Sequence, residues 1–227
     1  MKRLNEQFRK SIGVVSLITA MMLGAPAVNA EGIPKERLEA ILNIGQLFVR
    51  DLVTESCGSL TADMDPGTPL YLVPISLAEQ GICDDIAPVL APDGEHLTLG
   101  EWLPATGRIS IKCQEPGTRY HLQFKNLVPH GVYTVWHFTA TGGGALASHP
   151  PDDIRNVFIA DGEGNANHVA LGTAGEMTLF GEIGDCSLPI NLETDAFFVV
   201  YHTDNMSWGP VPGPEDTAVA HMIIVGF

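Results

Sequence analysis

From Cys57 onward, Pro, Gly, Asp and Asn divide the chain into short segments rich in β-branched, aromatic and other apolar residues. Such segments are typical of strands, because branched and aromatic side chains pack well on a pleated surface. No helical pattern of about ten residues alternates with them, which disfavours a parallel α/β sheet and favours an antiparallel sandwich or barrel. The predicted strands cover residues 70–75, 96–99, 108–113, 119–125, 132–139, 157–160, 167–171, 197–202 and 218–227.

The segment 119–125 shows the alternation of a half-buried strand most clearly. Tyr120, Leu122 and Phe124 fall on one face, and polar residues fall on the other. We therefore expect a mainly β protein whose principal domain, residues 57–227, is an antiparallel β-sandwich.

The sequence around Asp161 predicts a turn between two of these strands. Acidic and amide residues alternate from Asp161 as they do at the start of an EF-hand calcium loop. The sixth position is Ala166 instead of Gly, and the twelfth is Gly172 instead of Glu. An Asp-Gly hairpin turn is therefore expected, without calcium.

Residues 34–55 differ from the rest and predict an amphipathic helix. Pro34 suits a first helical turn, and apolar residues recur at spacings of three and four, which places them on one helical face. We therefore expect an N-terminal helical segment, residues 31–56, that covers an edge or end of the β domain. The apolar positions are Leu38, Ile41, Leu42, Gly45, Phe48 and Leu52.

Residues 1–30 have the organisation of a secretory signal peptide. Four basic residues precede an apolar run over 12–25, and small residues at 28–30 would allow cleavage before Glu31. The run is short for a bilayer span, and an uncleaved anchor is the alternative. We expect an extracytoplasmic protein, periplasmic or secreted, that meets a membrane only through this peptide during export.

The charge of the chain excludes two classes of partner. Its 27 acidic residues outnumber its 12 basic residues, and the formal net charge is −15. Binding to nucleic acids or anionic membranes needs clustered Lys and Arg, so we expect neither. The expected partners are a small molecule, a glycan or a protein.

The four cysteines all follow the predicted leader. An even number in an exported protein favours two disulfides, and the wide spacing without a C-x-x-C pair disfavours zinc. Three pairings are open, of which we favour Cys57–Cys83 with Cys113–Cys186.

Eight histidines raise the question of a metal site. His137, His202 and His221 lie in the most convincing predicted strands, and neighbouring strands could bring three imidazoles together in a set that suits copper or zinc. The chain has no H-x-H or H-E-x-x-H motif, and hydrogen-bonded structural histidines are the simpler interpretation. We expect no cofactor, with copper or zinc on these three histidines as the alternative.

Two long Gly- and Pro-rich segments, 141–153 and 204–217, are expected to be loops, and loops of this length are often functional. The second loop and the strand before it mix aromatic and hydrogen-bonding groups that could hold a sugar or a peptide. A Trp208 packed onto its own domain is the alternative. The candidate ligand-binding residues are Tyr201, His202, Asp204, Asn205 and Trp208.

Three runs of sequence are distinctive: HLTLGEW at 96–102, GTRY at 117–120 and NLVPHGVYTVW at 126–136. With further stretches up to the Gly-Pro-rich segment at 209–213, they resemble a family of uncharacterised exported bacterial and archaeal proteins. The resemblance covers roughly residues 96–227. It implies a β-sandwich outside the cytoplasm, and it implies no activity and no catalytic residues.

The sequence contains neither a G-x-S-x-G nucleophile motif nor a phosphate-binding G-x-x-x-x-G-K motif. The leading hypothesis is a non-enzymatic, disulfide-stabilised exported module that binds a ligand or partner through loops 141–153 and 204–217. The alternatives are a copper- or zinc-binding protein with a histidine cluster and a secreted hydrolase acting on glycans or esters.

Overall fold

The computed structural model describes residues 36–43, 47–51, 56–72, 87–114, 117–139, 142–145, 156–173, 177–178, 181–182, 196–208, 213–214 and 217–225. Within them the chain forms sixteen strands and one short helix, α1 (Leu99–Trp102). The strands are β1 (Glu36–Glu39), β2 (Ile41–Leu42), β3 (Leu47–Asp51), β4 (Ser56–Ser59), β5 (Tyr71–Leu72), β6 (Ala87–Pro88), β7 (Thr106–Gln114), β8 (Gly117–Lys125), β9 (Val132–Thr139), β10 (Gly142–Ala145), β11 (Val157–Ile159), β12 (Ala166–Thr173), β13 (Met177–Thr178), β14 (Gly181–Glu182), β15 (Ala196–His202) and β16 (Ala218–Val225).

Two sheets contain most of these strands. The front sheet has the order β1-β7-β8-β12, and the back sheet has the order β10-β9-β15-β16-β2, with β11 also paired to β9. A smaller sheet, β4-β3-β5-β6, and the β13–β14 pair account for the others. Every pairing among the described strands is antiparallel, which confirms the prediction of a mainly β, antiparallel protein.

The hydrophobic core lies between the front and back sheets. On β8, Tyr120, Leu122 and Phe124 are at most 7% exposed, which confirms the face predicted from their alternation. Phe124 stacks on Phe158 of β11 with ring centroids 5.2 Å apart, and Tyr120 contacts Phe197 of β15 at 6.1 Å. Burial of each large apolar side chain contributes roughly 1.5–3 kcal/mol to stability. The shared core is therefore a major source of the free energy that holds the two sheets together.

The N-terminal segment crosses from one sheet to the other as strands, and the helix predicted over 34–55 is not supported. β1 pairs with β7 of the front sheet, and β2 pairs with β16 of the back sheet. Between and after them, the Ala40 amide donates to the Gly107 carbonyl at 2.8 Å, and the Asn43 amide donates to the His221 carbonyl at 3.0 Å. The hydrogen bonds of this segment to the edges of two sheets therefore outweigh the helix-like spacing of its apolar residues.

Seven of the nine predicted strands correspond to β7, β8, β9, β11, β12, β15 and β16. The segment 96–99 instead forms two isolated bridges and runs into α1. There the Glu101 carboxylate accepts hydrogen bonds from the Thr98 amide at 2.8 Å and from its hydroxyl at 2.7 Å, and a Glu three residues after a Thr that precedes the helix favours a helix start. The predicted strand 70–75 is described only as far as β5.

The turn predicted at Asp161 is confirmed, but it does not close a hairpin: it joins β11, which pairs with β9 of the back sheet, to β12, which pairs with β8 of the front sheet. Its Oδ1 accepts hydrogen bonds from the amides of Asn165 at 2.7 Å and Glu163 at 2.9 Å. The bond from Asn165 is the main reason that the pKa of Asp161 lies below its ordinary value. The carboxylate is thus occupied in holding the β11–β12 turn.

Several predictions fall on residues that are not described. The leader, residues 1–30, lies outside the described ranges, and so do all four cysteine side chains, although β4 and β7 include the backbones of Cys57 and Cys113. In the predicted loop 141–153, β10 replaces the irregular structure expected at 142–145, and the other residues lie outside the described ranges. Among the described residues, no helix is long and apolar enough to cross a membrane.

We predict that Gly107→Ala will destabilise the protein. A Cβ at Gly107 would lie 2.2 Å from Cδ1 of Phe124 and 3.1 Å from the sulfur of Met222, and Phe124 cannot easily turn away because it stacks on Phe158. Overpacking of this kind costs about 1–3 kcal/mol, to be measured as a loss in the free energy of unfolding in urea.

The matched control is Gly162→Ala, where the new Cβ would lie 3.3 Å from the exposed His130 ring, which can move. Equal stability of the two variants would show that the sheets are not packed closely at Gly107.

Candidate functional site

The loop with most of the candidate residues leaves one end of the back sheet. β15 ends at His202, which is paired with Val132 at the start of β9 and with Ala218 at the start of β16. Just beyond this point the Thr203 amide donates to the Thr217 carbonyl at 2.8 Å. The two ends of the predicted loop 204–217 are therefore held together by the sheet below them.

Asp204 organises the turn that follows β15. One carboxylate oxygen accepts a hydrogen bond from the Met206 amide at 3.0 Å, and the other accepts one from the Trp208 indole N–H at 3.1 Å. Asn205 has a φ of 55°, a left-handed conformation that Asn adopts more readily than most residues, and its amide donates to the His202 carbonyl at 3.1 Å. One side chain thus fixes both the path of the turn and the position of the indole.

The Trp208 ring lies against the backbone at Gly213. An ideal Cβ on Gly213 would be 2.4 Å from Cδ1 and 2.8 Å from Nε1 of the indole, and the φ of Gly213 is 82°; both features favour glycine. Trp208 remains 39% exposed and Met206 54% exposed. We refer to Asp204, Met206, Trp208 and Gly213 as the Trp208 platform.

Two of the five predicted ligand-binding residues lie inside the protein. Tyr201 is 1% exposed, and its hydroxyl donates to the Leu90 carbonyl at 2.7 Å. Burial, helped by the nearby carboxylates of Asp93 and Asp204, raises the pKa of Tyr201 above its ordinary value. His202 is fully buried, so neither side chain can contact a ligand at the surface, whereas Asn205 and Trp208 can.

His202 belongs to a buried polar chain on the face of the back sheet opposite the core. The hydroxyl oxygen of Thr134 accepts a hydrogen bond from the Trp136 indole at 2.9 Å and lies 2.8 Å from Nε2 of His202. Either partner of the pair between Thr134 and Nε2 can donate, because a hydroxyl oxygen can accept two hydrogen bonds and also donate one. Nδ1 of His202 is buried and has no hydrogen-bond partner among the described residues. Burial lowers the pKa of His202, although Asp204 opposes the shift.

His221 sits at a β-bulge and points into the core. The β15–β16 register passes from Val199–Met222 to Val200–Ala220 and skips His221, and such a bulge can redirect a side chain.

Both ring nitrogens of His221 have partners. Nε2 donates to the Trp102 carbonyl at 3.0 Å, and Nδ1 accepts from the Tyr133 hydroxyl at 3.1 Å. The ring also stacks on the Trp102 indole with centroids 3.6 Å apart. Burial lowers the pKa of His221 to about 4, so the ring is neutral at physiological pH.

The structure does not bring the three histidines of the metal hypothesis together. His137 stacks on Phe197 in the core with centroids 4.6 Å apart and lies four residues along β9 from Tyr133, a separation of about 13 Å at 3.3 Å per residue. His221 contacts Tyr133, and His202 lies on the opposite face of the sheet. No group of three His, Cys, Asp or Glu that could hold a metal ion occurs among the described residues.

Sequence reasoning missed Met206 and Gly213 as parts of the Trp208 platform. The spacing Asp204-Asn205-Met206 is a signal for a turn in which Asp accepts the amide two residues later, and it could have been found. The contact between Gly213 and Trp208 has no sequence signal, because it depends on how the intervening residues fold back.

Comparisons with protein-family models, curated proteins and solved structures found no match to this chain. The site is therefore interpreted from its own geometry.

We predict that the stability of the protein falls between pH 6.5 and pH 4 because of His221. In this range the unfolded chain, with an ordinary histidine pKa of 6.5, binds a proton that the buried ring does not bind. The free energy of unfolding therefore decreases as the pH falls through this window, by about 3 kcal/mol at 1.36 kcal/mol per pKa unit, and levels off below pH 4.

The measurement is urea unfolding at pH 7.5 and pH 4.5 for the wild type and for His221→Gln. Glutamine can still donate to the Trp102 carbonyl and accept from the Tyr133 hydroxyl, but it does not titrate. The difference between the two pH values should be smaller in the variant, and an unchanged difference would contradict this role of His221.

Thr134→Val should destabilise the protein, whereas Thr134→Ser should have a smaller effect. Valine keeps the shape of the side chain but leaves the Trp136 N–H and the His202 Nε2 without their buried partner, which costs about 1–3 kcal/mol for each unsatisfied group. Thermal unfolding of the two variants measures the difference. Equal melting temperatures would mean that the hydroxyl contributes nothing to stability.

Proposed function

We propose that this protein is an exported β-sandwich module that binds a ligand on the Trp208 platform. The observation that carries the proposal is the partly exposed indole, fixed at its N–H by Asp204 and packed on one side against Gly213. An aromatic ring that is already fixed loses little conformational entropy on binding, so more of its contact energy appears as affinity.

The chemistry of the platform suits a ligand with an apolar face and polar groups around it. Trp208 offers a flat surface of the kind that holds the apolar face of a sugar ring or a peptide side chain. Met206, two residues before Trp208, adds a flexible and polarisable exposed side chain to the same turn. The exposed Asn205 carboxamide can supply hydrogen bonds at the tip of the turn.

The scaffold supports this assignment. The front and back sheets share one core, and the platform begins immediately after β15, which is a central strand of the back sheet. Binding residues are commonly carried on loops that a rigid framework positions. The export of the module, its two disulfides and its place in the resembled family are parts of the same proposal, supported by residues 1–30, by the even number of cysteines and by the runs over 96–227.

Two features favour binding over the alternatives of hydrolysis and metal binding. Both carboxylate oxygens of Asp204 accept hydrogen bonds from the loop itself. Both ring nitrogens of His221 are likewise occupied.

The proposal predicts that Trp208→Ala removes ligand binding. A panel of neutral hexasaccharides and short peptides is screened on the wild type by tryptophan fluorescence, which suits this chain because its other two tryptophans, Trp102 and Trp136, are at most 4% exposed. The affinities of the wild type and of Trp208→Ala are then measured by isothermal titration calorimetry, which does not depend on the indole as a reporter. For any binder, the loss of the indole should weaken affinity by about tenfold or more, since a central aromatic contact is commonly worth at least 1.4 kcal/mol.

The control is Phe138→Ala, which removes another exposed aromatic ring, 42% exposed, at the far end of β9 from the platform. Binding that survives Trp208→Ala but not Phe138→Ala would place the site elsewhere and overturn the proposal.

A further inference from the structure

A negatively charged carboxylate lies at the edge of the indole in the Trp208 platform. Asp204 Oδ2 accepts the hydrogen bond from the indole N–H at 3.1 Å. A carboxylate in this position increases the electron density of the ring, and the face of an aromatic ring is already its negative side. The open side of Trp208 is therefore attractive to positive charge.

A second turn brings further carboxylates to the same end of the sheet. Tyr201 lies one residue before His202 on β15, and its hydroxyl donates a hydrogen bond to the carbonyl of Leu90. The turn after Leu90 carries the exposed Asp93 and Glu95. Asp93 Oδ1 accepts the Glu95 amide at 3.1 Å, which fixes this turn. Both turns therefore meet the sheet around Tyr201, and the carboxylates of Asp93 and Asp204 both act electrostatically on its hydroxyl.

These charges are not neutralised within the described part of the chain. Among the described residues, neither Asp93 nor Asp204 forms an ion pair with a Lys, Arg or His side chain. The formal net charge of the whole chain is −15, so the long-range field also attracts cations and repels anions. The platform thus combines an aromatic face with uncompensated negative charge.

We infer that the ligand of the Trp208 platform bears an organic ammonium group. Such a group matches both features, because its carbon substituents pack on the indole while its charge faces the ring and the carboxylate of Asp204. A bare metal ion would need several converging ligands, and no such group occurs among the described residues. The occupant is a small ammonium ligand, since one indole face matches a single ammonium group. This inference rests on the proposed function and specifies its ligand class.

The test uses two probes of the same shape and different charge, choline and its neutral carbon analogue 3,3-dimethyl-1-butanol. The full chain labelled with ¹⁵N-tryptophan should give three indole N–H signals, from Trp102, Trp136 and Trp208, and Trp208→Phe identifies the third. Choline should shift the Trp208 signal with millimolar affinity and leave the two buried indoles unchanged, while the neutral analogue should have little effect. Added sodium chloride should weaken the binding of choline by screening.

The variant Asp93→Asn removes a charge but keeps the oxygen that accepts the Glu95 amide. It should weaken choline binding roughly 1.5- to 5-fold, the change expected from about 0.2–1 kcal/mol for an exposed pair of opposite charges. The matched control is Glu163→Gln, which removes one exposed charge from the β11–β12 turn and should leave the affinity unchanged.

The remaining outcomes separate this inference from the proposed function. If both probes shift Trp208 equally, or if a neutral hexasaccharide binds there and choline does not, the platform binds ligands but the ammonium inference is wrong. If no probe and no member of the panel affects Trp208, both are wrong. A choline effect that persists at other signals in Trp208→Phe would also overturn the inference.

Discussion

The buried hydrogen bonds of His221 connect four separate parts of the fold. Its ring donates to Trp102 at the end of α1 and accepts from Tyr133 on β9, while its backbone carbonyl accepts from Asn43 after β2. The Trp102 indole in turn donates to the Asn43 carbonyl at 3.2 Å. In a core of low dielectric constant each bond is strong, and a broken one leaves an unsatisfied polar group. This network of hydrogen bonds therefore fixes the N-terminal strands, the helix and the back sheet relative to one another.

The Trp208 platform depends on that arrangement because it begins where the back sheet ends. Tyr201 anchors the last residues of β15 to Leu90, and His202 is held from the other face by Thr134. Two residues later Asp204 is free of the sheet and can direct its carboxylate at the turn and the indole. Tyr201 and His202 are buried and held in place, and the residues just after Asp204 are exposed. The loop can therefore present the Trp208 ring at the surface in a fixed position.

The sequence predicted which stretch of the chain contains the candidate site, but not which of its side chains are exposed. A mixture of aromatic and hydrogen-bonding residues after a strong strand identified the stretch that contains Asp204 and Trp208. It could not separate Tyr201 and His202, which lie inside, from Asn205, which lies outside, because burial depends on both neighbouring strands and on what covers each face. For the same reason the sequence could place three histidines on strands without showing that His202 and His221 lie on opposite faces.

The sequence by itself determined the strand-rich, antiparallel character of the protein, because period-two alternation and turn residues act locally and are read directly from neighbouring positions. It determined the buried face of β8 and the turn at Asp161 in the same way. The tertiary structure alone decided that residues 36–42 form strands on two sheets, because those hydrogen bonds join residues far apart in the chain and outweigh local periodicity. It also decided that Gly213 lies beneath Trp208, a contact that exists only after the loop has folded.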